Sequence, residues 1–310
     1  MRIAIIGAGA IGSLFGARLK NSGNEVLLVD RDSRTVSEIR SRGVRLRLSD
    51  GKTSRVHVPI KQAPASLRDF EQILFAVKAY STEEAARQYR TLVEPEATIV
   101  TLQNGLGNLD VLARCFGKER VVAGSTTEAS LLLGPGWVTH AGGGRTVVGE
   151  LDGTRSKRCL DIVGMFREAG FETVLTRNVM GVVWAKVIVN SAINPVSALT
   201  RLRNGQLAGE EVLKDLMLRT LSEGVETSRA ERVKLEPEGV ALLLFRILRA
   251  TAQNQSSMLQ DVLNERRTEI RQLNGAIVEK GRQHRVSTPY NELLTSLILG
   301  LERSRAKEGG

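Results

Sequence analysis

Apolar and polar positions follow two different periods along this chain, and the change of period divides it. Up to about residue 175, short apolar runs alternate with helical patterns. The first run, Ile3 to Ile6, leads into a helical pattern through Leu14, Phe15 and Leu19 that closes at Gly23. A second run, Glu25 to Val29, ends in Asp30-Arg31. Val44 to Leu48 and Val56 to Ile60, with Asp50-Gly51 between them, read as a hairpin. Ile73 to Val77 reads as a buried parallel strand, and Ser81 with Glu84 as a capping box opening a helix through Leu92. Ala97 to Leu102 is the next strand, ending in Gln103-Asn104-Gly105, and Val121-Val122 is another. Ser130 to Leu133 and Thr146 to Gly149 flank a glycine-rich turn region. A helix over 155–168 and a strand over Thr173 to Leu175 complete this part.

After Asn178 strand signals nearly vanish. Helical periods predict helices over about 179–196, 208–233, 237–253, 258–284 and 289–305. Gly224, Pro237 and Pro289 punctuate them, the prolines at first-turn positions where a missing N–H is harmless. The tail, Arg303 to Gly310, reads as frayed. No repeat or low-complexity stretch is evident.

The junction after the first strand carries the earliest chemical signal, Gly7-Ala8-Gly9-Ala10-Ile11-Gly12. Gly7 permits a tight turn, Gly9 lets a pyrophosphate approach the backbone, and Gly12 lets the helix pack close to the sheet. The helix N-terminus adds N–H donors and a positive dipole end. With a strand on each side, the unit is a complete βαβ of about 30 residues, so the pattern predicts a dinucleotide site. The layout expected is α/β plus all-α. A Rossmann-type doubly wound domain over 1–177 precedes a helical domain over 178–310, and ligand lies in the cleft between them, over the carboxyl ends of the strands.

Composition narrows the picture. A length of 310 residues suits two domains, and 42 % apolar residues suffice for well-buried cores. The 2 cysteines, Cys115 and Cys159, have no metal-like spacing and suit a reducing, cytoplasmic setting. His57, His140 and His284 are scattered, so no metal site is expected. No apolar run reads as long enough for a membrane span, and no signal peptide is evident. The net charge of +10 raises the question of nucleic acid. Basic residues are interspersed with acids, however, and aromatics are 4 %, so no nucleic-acid role is expected. A positive field still attracts an anionic cofactor and substrate.

Within the first helix of the second part, Lys186, Asn190 and Asn194 recur every four residues among Val187, Ile188, Val189 and Ile193. They share one face of an otherwise apolar helix, which is costly unless they meet partners or a ligand. The alternative is a solvent-facing stripe. Farther on, Ser257 reads on its own as a helix cap with Gln260 at the capping-box position, and Glu269 beside Arg266 and Arg267 as a wet ion pair.

Taken together, a series of motifs spans the chain. The glycine loop is followed by Val77-Lys78, Gln103-Asn104-Gly105, a run from Ala185-Lys186 to Asn194-Pro195, and Asn204-Gly205. Then come Ser256 to Asp261, Arg266 to Ile270, Asn274-Gly275 and Thr288 to Asn291. This order resembles the ketopantoate (2-dehydropantoate 2-) reductases along the whole chain. The resemblance implies reduction of 2-dehydropantoate to (R)-pantoate with NADPH, on the route to pantothenate and coenzyme A. It makes Lys186 the proton donor. It makes Asn190, Asn194, Asn204 and Ser257 substrate contacts, with Asn104 between nicotinamide ribose and substrate. Glu269 falls near that ribose and the substrate hydroxyl. Gly7 to Gly12 cradle the pyrophosphate, Lys78 and Arg31 serve the adenosine ribose and its 2′-phosphate, and Ala129 matches a backbone cofactor contact. A homodimer is expected. Asp30 departs from the pattern, because a carboxylate there bonds the ribose 2′-OH of NAD and repels a 2′-phosphate, whereas Arg31 favours the phosphate. NADP is therefore the expected cofactor, with NAD open because of Asp30. A reductase of another branched 2-keto acid and a dinucleotide-sensing module are the alternatives.

Overall fold

A computed structural model of the chain describes residues 1–48, 50–235 and 239–308. Pro237 and the last two residues of the tail, about which the sequence raised expectations, lie outside the described residues. The chain divides into two compact units, one of residues 1–103 with 108–179, the other of 104–107 with 180–310.

In the first unit the order is β1 (Arg2–Ile6), α1 (Ala10–Asn21), β2 (Glu25–Val29), α2 (Ser33–Arg42), β3 (Val44–Arg47), β4 (Thr53–Val56), β5 (Ile60–Lys61) and β6 (Gln72–Phe75). There follow α3 (Thr82–Tyr89), β7 (Thr98–Thr101), α4 (Asn108–Phe116), β8 (Val121–Thr126), β9 (Ala129–Gly134), β10 (Trp137–Gly142), β11 (Arg145–Glu150), α5 (Lys157–Glu168) and β12 (Glu172–Leu175). Eight strands form one sheet in the order β12-β11-β8-β7-β6-β1-β2-β5. Its centre is parallel, and β11 joins β8 antiparallel. Strand alternation assigns the core: Ile3 and Ile5 of β1 enter one apolar cluster, while Ala4 and Ile6 enter the other. On the first face Phe15 stacks on Phe171 at 4.1 Å.

The hairpin after α2 exists, but its second strand is β4 at Thr53–Val56, and Ile60 crosses to the large sheet beside β2. Ser130 to Leu133 belongs to β9, whose partner is β10, and the two hairpins build a separate sheet ordered β4-β3-β10-β9. The helix after Ser81 starts from a 3-10 turn at Ala79–Ser81 without a side-chain cap, and it ends at Tyr89. Glu84 is not part of a capping box; its carboxylate accepts from Arg31 at 2.9 Å.

The second unit contains α6 (Val179–Thr200, beginning one residue before the unit boundary), α7 (Asn204–Leu207), α8 (Glu211–Ala230), α9 (Val240–Ala250), α10 (Ser257–Leu263), α11 (Asn274–His284) and α12 (Pro289–Glu308). Helix α6 has the length and apolarity to cross a bilayer, contrary to the expectation from composition. Its apolar residues are instead the core of this unit. Ile188, Val189, Ala192 and Ile193 pack with Met217, Leu221, Leu244 and Leu248, while Val187 and Ala198 pack with Met258 and Ile277. Gly224 is no punctuation mark. It lies inside α8, where a Cβ would meet Ile188 at 3.0 Å, so it serves close helix packing. The single helix expected over 258–284 is broken between α10 and α11, with Glu265 at φ +54° and a 3-10 turn at Ile270–Gln272. That break carries Glu269.

Candidate active site

In the first unit the candidate cofactor residues gather at three neighbouring strand ends. Gly7 leaves β1 at φ +105°, and a Cβ on it would fall 2.8 Å from the Val77 backbone nitrogen beyond β6. The glycine loop thus packs on the segment that holds Lys78. A Cβ on Gly12 would sit 1.8 Å from the Gly7 carbonyl oxygen, so the entry of α1 can approach the sheet only with glycine there. Gly9 differs from both, because a Cβ on it would meet no atom of the described residues within 4 Å. Protein packing therefore gives no reason for glycine at 9, whereas a ligand lying on the loop does. Gly9 is also the N-cap of α1, which has no side-chain cap and no acidic residue in its first turn, leaving Ala10, Ile11 and Gly12 to present backbone donors. The residues present fit a pyrophosphate.

Beyond β2, Asp30 anchors this loop. One carboxylate oxygen accepts the Ala8 N–H at 2.7 Å, and the other accepts the Asp32 N–H at 2.9 Å. Arg31 is exposed and pairs with Glu84 at the start of α3. Ala129 opens β9 in the four-stranded sheet, a different sheet from the one that carries the loop. Sequence reasoning gave Gln103 no role, yet its amide donates to the Val77 carbonyl at 2.7 Å and to the Thr82 hydroxyl at 2.8 Å. It ties the ends of β6 and β7 together. A polar side chain directly after a buried strand was the available signal.

In the second unit, α6 presents Lys186, Asn190 and Asn194. Lys186 keeps a partial opening to solvent, but protein crowds its ammonium. That desolvation lowers its pKa from 10.5 to about 8, with the charge of Glu269 pulling it back up. Glu269 is buried, so its electrostatic partner within this unit is the Lys186 ammonium rather than a wet arginine pair alone. The cap of α10 is Ser256, whose hydroxyl accepts the Leu259 N–H at 3.1 Å, and not Ser257. Ser257, freed from capping, is exposed and lies 3.4 Å from the Asn194 amide nitrogen. Asn204 heads α7 and is buried, its amide donating to the Thr251 hydroxyl at 2.8 Å while its side-chain carbonyl oxygen has no hydrogen-bond partner among the described residues. Asn104 begins the short segment that counts with this unit. There Gly105, at φ +90°, lets the backbone close on Gln272, whose carbonyl accepts the Leu106 N–H at 2.8 Å. The arrangement offers a cation of reduced pKa beside a carboxylate, with two neutral amides along the same helix and the Ser257 hydroxyl reaching Asn194 from α10.

The family model described as ketopantoate reductase PanE/ApbA matches residues 3–153, and its C-terminal counterpart matches residues 178–302. A 2-dehydropantoate 2-reductase of Halobacterium salinarum is 35 % identical over 302 residues, covering 96 % of this chain and 98 % of that protein. The chain belongs to the ketopantoate reductase family. A crystal structure of a PanE/ApbA family ketopantoate reductase from Ralstonia eutropha superimposes with a TM-score of 0.91 at 32 % identity, covering 99 % of this chain and 100 % of that one. D-Mandelate dehydrogenase in a ternary structure with NADH and anilino(oxo)acetate superimposes with a TM-score of 0.92 at 27 % identity, covering 98 % and 99 %. Both the Rossmann-type unit and the helical unit of this ketopantoate reductase family member are therefore shared across full-length structures.

Proposed function

We propose that this protein reduces 2-dehydropantoate to (R)-pantoate, feeding pantothenate and coenzyme A synthesis, with NADPH as reductant. The observation that carries the reading is Lys186, a desolvated ammonium on a buried helix with Glu269 as its counter-charge. A nicotinamide dinucleotide, when bound, supplies a hydride to the ketone carbon. Gly7 to Gly12 hold its pyrophosphate, and Arg31 and Lys78 serve its adenosine end, with Ala129 as a backbone contact. Lys186 polarises the ketone oxygen and gives it a proton as negative charge develops, then regains one from solvent. Asn190, Asn194, Asn204 and Ser257 orient the carboxylate and hydroxyl of the substrate, Asn104 spans ribose and substrate, and Glu269 keeps Lys186 charged. Neutral amides suit this task because they bond the carboxylate without competing with Lys186 for the oxyanion.

Arg31 supports NADPH, since its exposed pair with Glu84 is worth about 0–1 kcal/mol and yields readily to a phosphate dianion. Asp30 supports a second reading, NADH, with its carboxylate fixed against the loop. The likeness to D-mandelate dehydrogenase supports a different 2-keto acid as substrate. A homodimer in the cytoplasm completes the proposal, read by light scattering and fractionation. The deciding assay follows nicotinamide absorbance with ketopantoate and a panel of 2-keto acids, using NADPH and NADH in parallel. Ketopantoate with NADPH is expected to give the highest kcat/KM, and no turnover of ketopantoate with either cofactor overturns the reading. Lys186→Ala is expected to lower kcat by roughly 10²–10⁴ while dinucleotide binding persists.

A further inference from the structure

Helix α6 runs through Pro195 without stopping. Proline has no N–H, so the carbonyl four residues earlier, that of Ser191, loses its helical donor. This carbonyl belongs to the turn between Asn190 and Asn194. A buried carbonyl left unpaired there would cost stability and loosen the turn. The structure supplies a replacement: the Asn274 side-chain amide donates to the Ser191 carbonyl at 2.9 Å.

The orientation of that amide is dictated from farther away. Glu223, buried in α8, accepts the Tyr290 N–H at 2.8 Å and the Asn291 N–H at 2.9 Å, both in the first turn of α12. It also accepts the Asn291 side-chain amide at 2.7 Å, and the same amide donates to the Thr220 carbonyl at 3.0 Å. With its amide so committed, Asn291 can turn only its carbonyl oxygen towards Asn274, which donates to it at 3.0 Å. Both acceptors facing Asn274 thus demand its nitrogen, and a flipped amide would set oxygen against oxygen twice. Asn274 and Asn291 are fully buried, so no solvent substitutes for either bond.

We propose that Asn274 is a positioning residue for the reaction, standing in for the amide that Pro195 lacks and so fixing the turn of α6 that carries Asn190 and Asn194. This rests on the assignment of α6 as the substrate helix. Proline at 195 leaves one carbonyl of the helix without its helical donor, and Asn274, held by Asn291 and Glu223, supplies the bond that fixes that turn.

The test is a cycle of Asn274→Ser and Pro195→Ala in the full-length protein. Alanine restores the N–H at position 195, so the Ser191 carbonyl no longer depends on Asn274. Asn274→Ser alone is expected to raise KM for ketopantoate about tenfold, with kcat lowered less than threefold and dinucleotide affinity, read by fluorescence titration, unchanged. In the Pro195→Ala background the same substitution is expected to change KM less than threefold. An equal loss in both backgrounds, or a loss of dinucleotide affinity in step with KM, overturns the proposal. Should Asn274→Ser fail to accumulate as folded protein, recovery of a folded protein in the Pro195→Ala background supports the proposal, and failure in both overturns it. Thermal melting of the four proteins reads the same cycle without any substrate. An inactive wild-type enzyme with non-additive melting temperatures would thus refute the substrate reading alone.

Discussion

The lowered pKa of Lys186 makes a quantitative demand on the pH dependence of the reaction. Its fall from 10.5 to about 8 is set by burial, with Glu269 opposing it. With Lys186 as the proposed proton donor, reduction needs the ammonium form, so activity is expected to follow the charged fraction. That fraction is about nine-tenths at pH 7 and about one-tenth at pH 9. The slope beyond pH 8 is about tenfold per unit, because a single proton is involved. The assay is kcat/KM for ketopantoate from pH 6 to 10 at saturating dinucleotide, with parallel binding titrations to separate loss of cofactor. Glu269→Gln removes the charge that holds Lys186 up, so the alkaline limb is expected to move to lower pH, with less activity at pH 7. A wild-type profile flat to pH 10 would refute the assignment of a desolvated lysine as donor. A limb that stayed in place in Glu269→Gln would refute the pairing.

The same shift appears in folding. Below pH 8 the folded protein carries a buried charge at a cost, and between about 8 and 10.5 the unfolded chain retains a proton that the folded one has released. Wild-type stability to urea is therefore expected to rise across that window relative to Lys186→Met, by about 3 kcal/mol in total. A difference that stays constant with pH would count against it. Gly9→Ala is expected to melt like wild type yet bind dinucleotide at least tenfold more weakly by titration, since its Cβ meets no atom of the described residues within 4 Å. Gly12→Ala, which would drive a Cβ to 1.8 Å from the Gly7 carbonyl oxygen, is expected to lose folding stability itself, seen as a lower Tm. Arg31→Ala is expected to raise KM for NADPH at least tenfold with little change for NADH, as steady-state kinetics with both cofactors would reveal.

Local rules made the glycine loop readable, because Gly7 and Gly12 are required by contacts within one βαβ unit. The stripe of Lys186, Asn190 and Asn194 was readable for a similar reason: helix periodicity alone puts the three on one face. Other features depended on partners far along the chain. Nothing local distinguishes Ser256 from Ser257 as the cap of α10; the approach of Asn194, 63 residues earlier in the chain, to the Ser257 hydroxyl is what separates them. The continuous helix expected over 258–284 failed at Glu265, a residue with no intrinsic preference for φ +54°. The second sheet pairs β3 with β10, strands separated by most of the first unit, so no turn signal announced it. Helix α6 continues to Thr200, beyond the expected end near 196, and the donor that Pro195 lacks is supplied by an amide far along the chain.

The short segment from Asn104 to Gly107 has a consequence for how the protein is made. It is translated with the first unit but packs with the second, against Gln272. The glycine loop and the strands that support it emerge from the ribosome together, early. Asn104 must wait for its support until nearly the whole chain has been synthesised. The glycine loop is therefore complete long before the second unit is, and a chain terminated anywhere before Gln272 would lack the carbonyl that accepts the Leu106 N–H.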